Sequence, residues 1–133
     1  MNFSKTTSYS LSVLSYMAEH EIETMSADYL HDKLGIPYQY LRQLLTSLSE
    51  KGFIHSSRGR NGGFSFSKKI SKIFLADIIE ATEGLENYNK CFLGLKACPF
   101  DSQCSMHEVW QGTRENILKL LKETSLADLL KKK

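Results

Sequence analysis

The chain has little of several things, and each scarcity excludes a class of function. Three of its 133 residues are cysteine and two are proline. No C-x-x-C pair occurs, which removes the usual signature of a thiol-redox enzyme. No glycine-rich turn joins a strand to a helix: the RNGG glycines fall between two strand-like runs, so a phosphate-cradling loop fails on context. Nothing suggests a Ser-His-Asp arrangement or a pair of acids in an apolar pocket, so an enzyme is not expected. A long apolar run is missing too. The opening MNFSKTTSYSLSVL is interrupted by serine and tyrosine and lacks a small-residue cleavage site, so neither a signal peptide nor a membrane span is expected. An odd cysteine count without a secretory signal argues for a reducing cytoplasm, the competing reading being one disulfide plus a free thiol.

Net charge is also small, at +2, but unevenly spread. From Pro37 to Lys69 the basic residues are Arg42, Lys51, Arg58, Arg60, Lys68 and Lys69, and the only acid is Glu50, a local charge of +5. The remainder of the chain therefore carries about −3. A 41% apolar content is enough for a core without a disulfide framework.

Periodicity organises the chain. Leu11, Leu14 and Met17 place one apolar stripe on a helix over about 4–20. Ser26 is a candidate N-cap for a short helix with Tyr29 and Leu30 facing inward, ended by Gly35. Pro37 suits a first helical turn. Leu41, Leu44, Leu45 and Leu48 then follow at i, i+3, i+4, i+7 up to Gly52, the clearest helical pattern present. From Phe53 the period becomes two: FIHSSR and GFSFSK read as strands, with Phe64 and Phe66 on one face and Ser65 and Ser67 on the other. The Asn61-Gly62 pair between them is a hairpin signal. LADIIEATEG forms another helix through Leu75, Ile78 and Ile79, ending at Gly84. A long helix from Met106 to Glu123 carries Val109, Trp110, Ile117, Leu118 and Leu121, and a short SLADLL segment precedes three lysines. The expectation is a mostly α chain with a small β-hairpin, a winged helix-turn-helix followed by a long C-terminal dimerisation helix. The units are 1–84 for DNA binding, 85–105 for a cysteine-rich cluster-binding loop, and 106–133 for the dimerisation helix and tail. A large apolar stripe left over after a closed domain seeks a second copy, so a homodimer is expected, the alternative being that the helix folds back.

In a helix-turn-helix the second helix enters the major groove with its N-terminal residues at base edges. Those residues are Tyr38, Gln39, Arg42 and Gln43, opposite the leucine stripe. Gln can bond adenine bidentately and Arg guanine. Arg58 and Arg60 flank a glycine at the hairpin tip, a short arm suited to the minor groove or to phosphate. The expected partner is a double-stranded, pseudo-palindromic DNA operator; the alternative is a solvated basic face. No membrane partner and no small-molecule substrate are expected.

The cysteines then fall into place. Cys91, Cys98, Cys104 and His107 have the spacing C-x6-C-x5-C-x2-H. Thiolates at this density suit zinc or an iron–sulfur cluster. A Cys3His zinc site would satisfy a tetrahedral metal outright, and the gaps come near those of RNA-binding CCCH fingers. Three thiolates and one weaker ligand instead leave one iron position easy to oxidise or lose, which suits a sensor. The histidines His20, His31 and His55 have no such neighbours and receive no role.

On GIPYQYLRQLLTSLSEKGFIHSSRGRNGGF, and on the cysteine loop followed by HEVW, the chain resembles the Rrf-two superfamily of bacterial transcription regulators over nearly its whole length. The resemblance implies that Cys91, Cys98 and Cys104 bind an iron–sulfur cluster controlling operator affinity. In IscR-like members a histidine three positions after the last cysteine completes a 2Fe–2S site, and His107 matches it. In NsrR-like members a carboxylate near the start of the first helix, from the other subunit, completes a 4Fe–4S site; Ser8 stands in its place here. The 2Fe–2S form is thus preferred and 4Fe–4S is the second choice. Two further departures are a first cysteine gap one residue longer than in IscR and Pro37 where serine is common. Cluster-free family members that sense through thiols or protein partners are the remaining alternative.

Overall fold

The computed structural model describes residues 3–20, 24–60, 62–88 and 105–130. Helix α1 spans Lys5–Glu19 and is opened by Ser4, whose hydroxyl accepts from the Thr7 N–H at 3.1 Å, satisfying one of the orphan donors of a first turn. Its buried face is Thr7, Ser10, Val13, Leu14, Met17 and Ala18. Leu14 and Met17 lie where their spacing predicts, whereas Leu11 is only half-buried. Val13 takes the centre instead, because the face must meet both the α2–α3 side and α4. Thr7 is tolerated at full burial because its hydroxyl shares a 2.7 Å hydrogen bond with that of Thr82.

Helix α2 spans Ala27–Leu34 behind the Ser26 cap. Leu30 is fully buried and Tyr29 half-buried. Gly35 terminates it with φ +69, a left-handed conformation that costs a Cβ-bearing residue. Ile36 is buried, and helix α3 begins one residue after Pro37, spanning Tyr38–Glu50. The proline therefore occupies the N-cap rather than the first helical position, and no side chain caps this helix. Leu41, Leu44, Leu45 and Leu48 are all buried, each worth about 1.5–3 kcal/mol relative to exposure.

Strands β1 (Ile54–Ser57) and β2 (Gly63–Phe66) pair antiparallel in the register Ile54 with Phe66 and Ser56 with Phe64. Between them Arg58, Gly59, Arg60 and Gly62 are described and Asn61, of the expected Asn61-Gly62 turn, lies outside the described residues; the Gly62 N–H donates to the Gly59 carbonyl at 3.0 Å. Phe64 and Phe66 pack against the core, while Ser65 and Ser67 share hydrogen bonds with His55 on the other face. The segment before α2 joins this sheet, through a single bridge between Met25 and Phe64.

Helix α4 spans Leu75–Thr82, α5 spans Met106–Glu123, and α6 is the short Leu126–Leu129. The end of α5 lies on α4: Leu121 is buried with Ala76 and Ile79, and Ile117 packs beside them. The chain then turns back. Phe74 and Ser125 form a bridge, Leu75 N–H donating to Thr124 O and Leu126 N–H to Ile73 O, each at 2.9 Å. Leu126 is fully buried in the same core as Leu14 and Leu45. The core built by the first 84 residues is therefore completed by the last turn of the described chain. No described helix is long and apolar enough to cross a membrane.

Candidate nucleic-acid interface and cluster ligands

The geometry of the second helix follows from its four leucines. Once Leu41, Leu44, Leu45 and Leu48 are buried, the opposite face must carry Gln39, Arg42 and Gln43, all exposed, with Tyr38 half-buried at the helix start. The Arg42 guanidinium stands over the Tyr38 ring at 5.8 Å from its centroid, within cation–π range. Farther along the same face Arg42, Gln43, Thr46, Ser47 and Glu50 line a shallow open groove. All four candidates from the sequence thus share one solvent-facing end of α3.

Arg58 and Arg60 are both exposed on the loop from 58 to 62, and Lys51, Lys68 and Lys69 are exposed as well. The glycines beside them are structural. A Cβ on Gly63, whose φ is +150, would lie 2.7 Å from the Met25 carbonyl, and one on Gly62 would meet the Ser57 carbonyl oxygen. The wing can therefore close only with two adjacent glycines, which leaves its two arginines at the projecting end.

Of the residues expected to ligate a cluster, Cys91, Cys98 and Cys104 lie outside the described residues. His107 is the second residue of α5 and half-buried. Ser105 precedes the helix in a helical conformation and its side chain makes no capping bond. The helix thus begins with backbone N–H groups that the side chain of its own N-cap leaves open. Three thiolates and a first-turn imidazole are a donor set that fits soft iron or zinc. Among the described residues no group of three His, Cys, Asp or Glu side chains could hold a metal ion.

One residue passed over in the sequence belongs to this surface. His31, on α2, donates from Nδ1 to the Ile36 carbonyl at 2.6 Å and lies edge-on to the Tyr38 ring, centroids 5.7 Å apart and planes at 80°. Its spacing from Tyr38 carries no motif; only the turn at Gly35 brings them together.

Helix, short helix, glycine turn, exposed polar helix and a two-stranded wing with a basic tip define a winged helix-turn-helix DNA-binding protein. The family model described as Rrf2, iron-dependent transcriptional regulator, matches residues 3–132. The chain belongs to the Rrf2 family of transcription regulators. It is 31% identical over 132 residues to an HTH-type transcriptional regulator of Aquifex aeolicus, covering 98% of this chain and 92% of that one. It is 30% identical over 102 residues to the regulator IscR of Xenorhabdus nematophila, covering 77% of this chain. The chain spans 62% of that IscR's own length. Among solved structures, IscR of T. potens superposes with a TM-score of 0.74 at 25% identity, over 98% of this chain and 86% of that one. CymR, the global cysteine regulator of B. subtilis, has the same fold, with a TM-score of 0.80 at 24% identity over 98% and 96% of the two chains. The matched relatives are transcription regulators and not enzymes.

Proposed function

We propose that the chain is a homodimeric, operator-binding regulator whose DNA affinity is set by an iron–sulfur cluster held by Cys91, Cys98, Cys104 and His107. The observation that carries this reading is the placement of His107 in the first turn of α5, three residues after Cys104. The likeness to IscR supports it, and an imidazole fourth ligand favours the 2Fe–2S form over 4Fe–4S. When bound, such a cluster supplies a centre that oxidants, nitric oxide or a shortage of iron and sulfide can alter.

The chain's own residues supply the rest. Tyr38, Gln39, Arg42 and Gln43 read the major groove, and Arg58 and Arg60 grip the minor groove or the phosphates beside it. Dimerisation is supported by the face of α5 that α4 leaves uncovered: Met106 is 42% exposed, Val109 63% and Leu120 62%. A contiguous line of contacts joins the ligand helix to the reading helix. The end of α5 packs on α4, Thr82 of α4 bonds Thr7 of α1, and Thr6 and Tyr9 of α1 meet Tyr40 of α3, at 2.6 Å between hydroxyls and 5.4 Å between rings. Cluster binding by Cys91, Cys98, Cys104 and His107 would bias the angle of α3 along that line. The division of labour is then DNA binding within 1–84, cluster binding within 85–105, and subunit association within 106–133, with α6 serving the first unit's core.

The test is the visible absorption spectrum with iron and sulfide content after anaerobic purification, followed by operator affinity with and without the cluster. A brown protein that changes affinity on cluster loss supports the proposal. A colourless protein with stoichiometric zinc gives the site a structural role, and equal affinities of the loaded and unloaded forms sink the switch.

A further inference from the structure

We infer that His31 is a positioning residue for sequence reading, setting the place of Arg42 on the recognition helix through the ring of Tyr38. The inference rests on the DNA-reading assignment of α3 and adds to it a residue on α2 that touches no expected base.

Helix α3 starts behind Pro37, which has φ −51 and ψ 132 and offers no side-chain acceptor to the first-turn N–H groups. Something else must hold the direction from which the chain enters this helix. Ile36 is buried at 3% exposure, which anchors its side chain. Its carbonyl is held by the His31 Nδ1–H at 2.6 Å. Because the acceptor is a carbonyl, that nitrogen must carry the proton, which orients the imidazole plane. The ring so oriented lies perpendicular to Tyr38, 80° between planes, the edge-to-face geometry that aromatic pairs prefer. Tyr38 has its own face occupied by the Arg42 guanidinium, one helical turn on. An exposed arginine otherwise samples many rotamers. The row His31, Tyr38, Arg42 narrows that choice before DNA arrives, and narrowing it in the free protein raises discrimination rather than general attraction.

This separates His31 from the phosphate-binding cations. Loss of a phosphate contact weakens binding to all sequences and lowers the salt slope. Loss of His31 acts only where Arg42 acts.

The experiment selects DNA from a randomised double-stranded library with the full chain and compares the enriched motifs. The motif position that loses its base preference in Arg42→Ala identifies the base read by Arg42. In His31→Ala the preference at that same position falls several-fold, while the rest of the motif and the salt dependence persist. In the Arg42→Ala background, His31→Ala then has no further effect on affinity for the enriched sequence. A motif for His31→Ala identical to that of the wild-type chain overturns the inference, as does additivity of the two substitutions. A loss of affinity uniform across sequences would make His31 a merely structural residue and also overturn it; His31→Asn, which keeps an N–H for the Ile36 carbonyl but removes the ring beside Tyr38, separates the two cases, bringing the thermal midpoint back to that of the wild-type chain while the base preference stays lost. Failure of the DNA-reading assignment shows differently: the wild-type chain would enrich no motif at all, and both would fall.

Discussion

Met25 and Phe64 exchange both of their backbone hydrogen bonds, at 3.0 and 2.8 Å, and so tie the segment ahead of α2 to the second strand of the wing. The exchange brings the backbone at Gly63 against that of Met25 so closely that a Cβ there would stand 2.7 Å from the Met25 carbonyl. Gly63→Ala must either distort the wing or break the bridge. The expected loss is about 2–4 kcal/mol, from the steric clash together with the unfavourable φ, measured by urea denaturation. An unchanged midpoint would mean that the bridge contributes nothing to the fold.

Leu126 belongs to the same core as α1 and α3 although it stands beyond the long α5. Leu126→Ala should cost about 2–5 kcal/mol, as for other fully buried leucines. Leu129→Ala, three residues on and 48% exposed, should stay within about 0.5 kcal/mol of wild type. Equal effects of the two substitutions would count against the docking of α6.

Arg58 sits exposed at the projecting end of the wing. Arg58→Ala is expected to leave stability within about 0.5 kcal/mol while weakening operator binding and lowering the salt slope by about one. Fluorescence anisotropy at several salt concentrations checks it. Unchanged affinity at physiological salt would remove the wing from the interface.

Cys98→Ala should abolish the visible chromophore of anaerobically purified protein while far-ultraviolet circular dichroism stays the same. The helices of the described core are held by leucine and isoleucine packing and by their caps. Retention of the full chromophore would exclude Cys98 as a ligand.

The phenol of Tyr16 is pushed up to about 12 from 10.0, first by its hydrogen bond with the Tyr29 hydroxyl and then by burial. A raised value means that the folded state holds this proton more tightly than the unfolded chain does. The resulting stabilisation is fully present below pH 10 and is lost as pH rises through about 12. Tyr29→Phe should bring the Tyr16 titration back toward the ordinary tyrosine range, read by ultraviolet absorbance. An unmoved titration would assign the shift to burial alone.

Much of this is legible in the sequence alone. The leucines of α3 repeat at helical spacing, and Ser26 and Gly35 bound α2 because a hydroxyl cap and a left-handed terminus are local requirements. Periodicity located Leu14 and Met17 but placed Leu11 on the same stripe, since spacing alone does not say how wide a face its neighbours will cover. The Asn61-Gly62 pair marked the hairpin but not the bridge of β2 to Met25, because that contact joins segments far apart in the chain. The Ser125–Asp128 spacing that caps α6, each partner's side chain accepting from the other's backbone, is a local signal that went unread.

What the sequence by itself determined is the set of elements and the basic wing, because helix periodicity and turn chemistry are properties of neighbouring residues. What only the tertiary structure decided is which distant residues meet. Leu126 completes a core begun by Val13, Thr7 finds Thr82, and His31 reaches Ile36 and Tyr38 across a glycine turn. Such contacts arise when buried faces compete for the same interior, and no single segment of chain records the outcome of that competition.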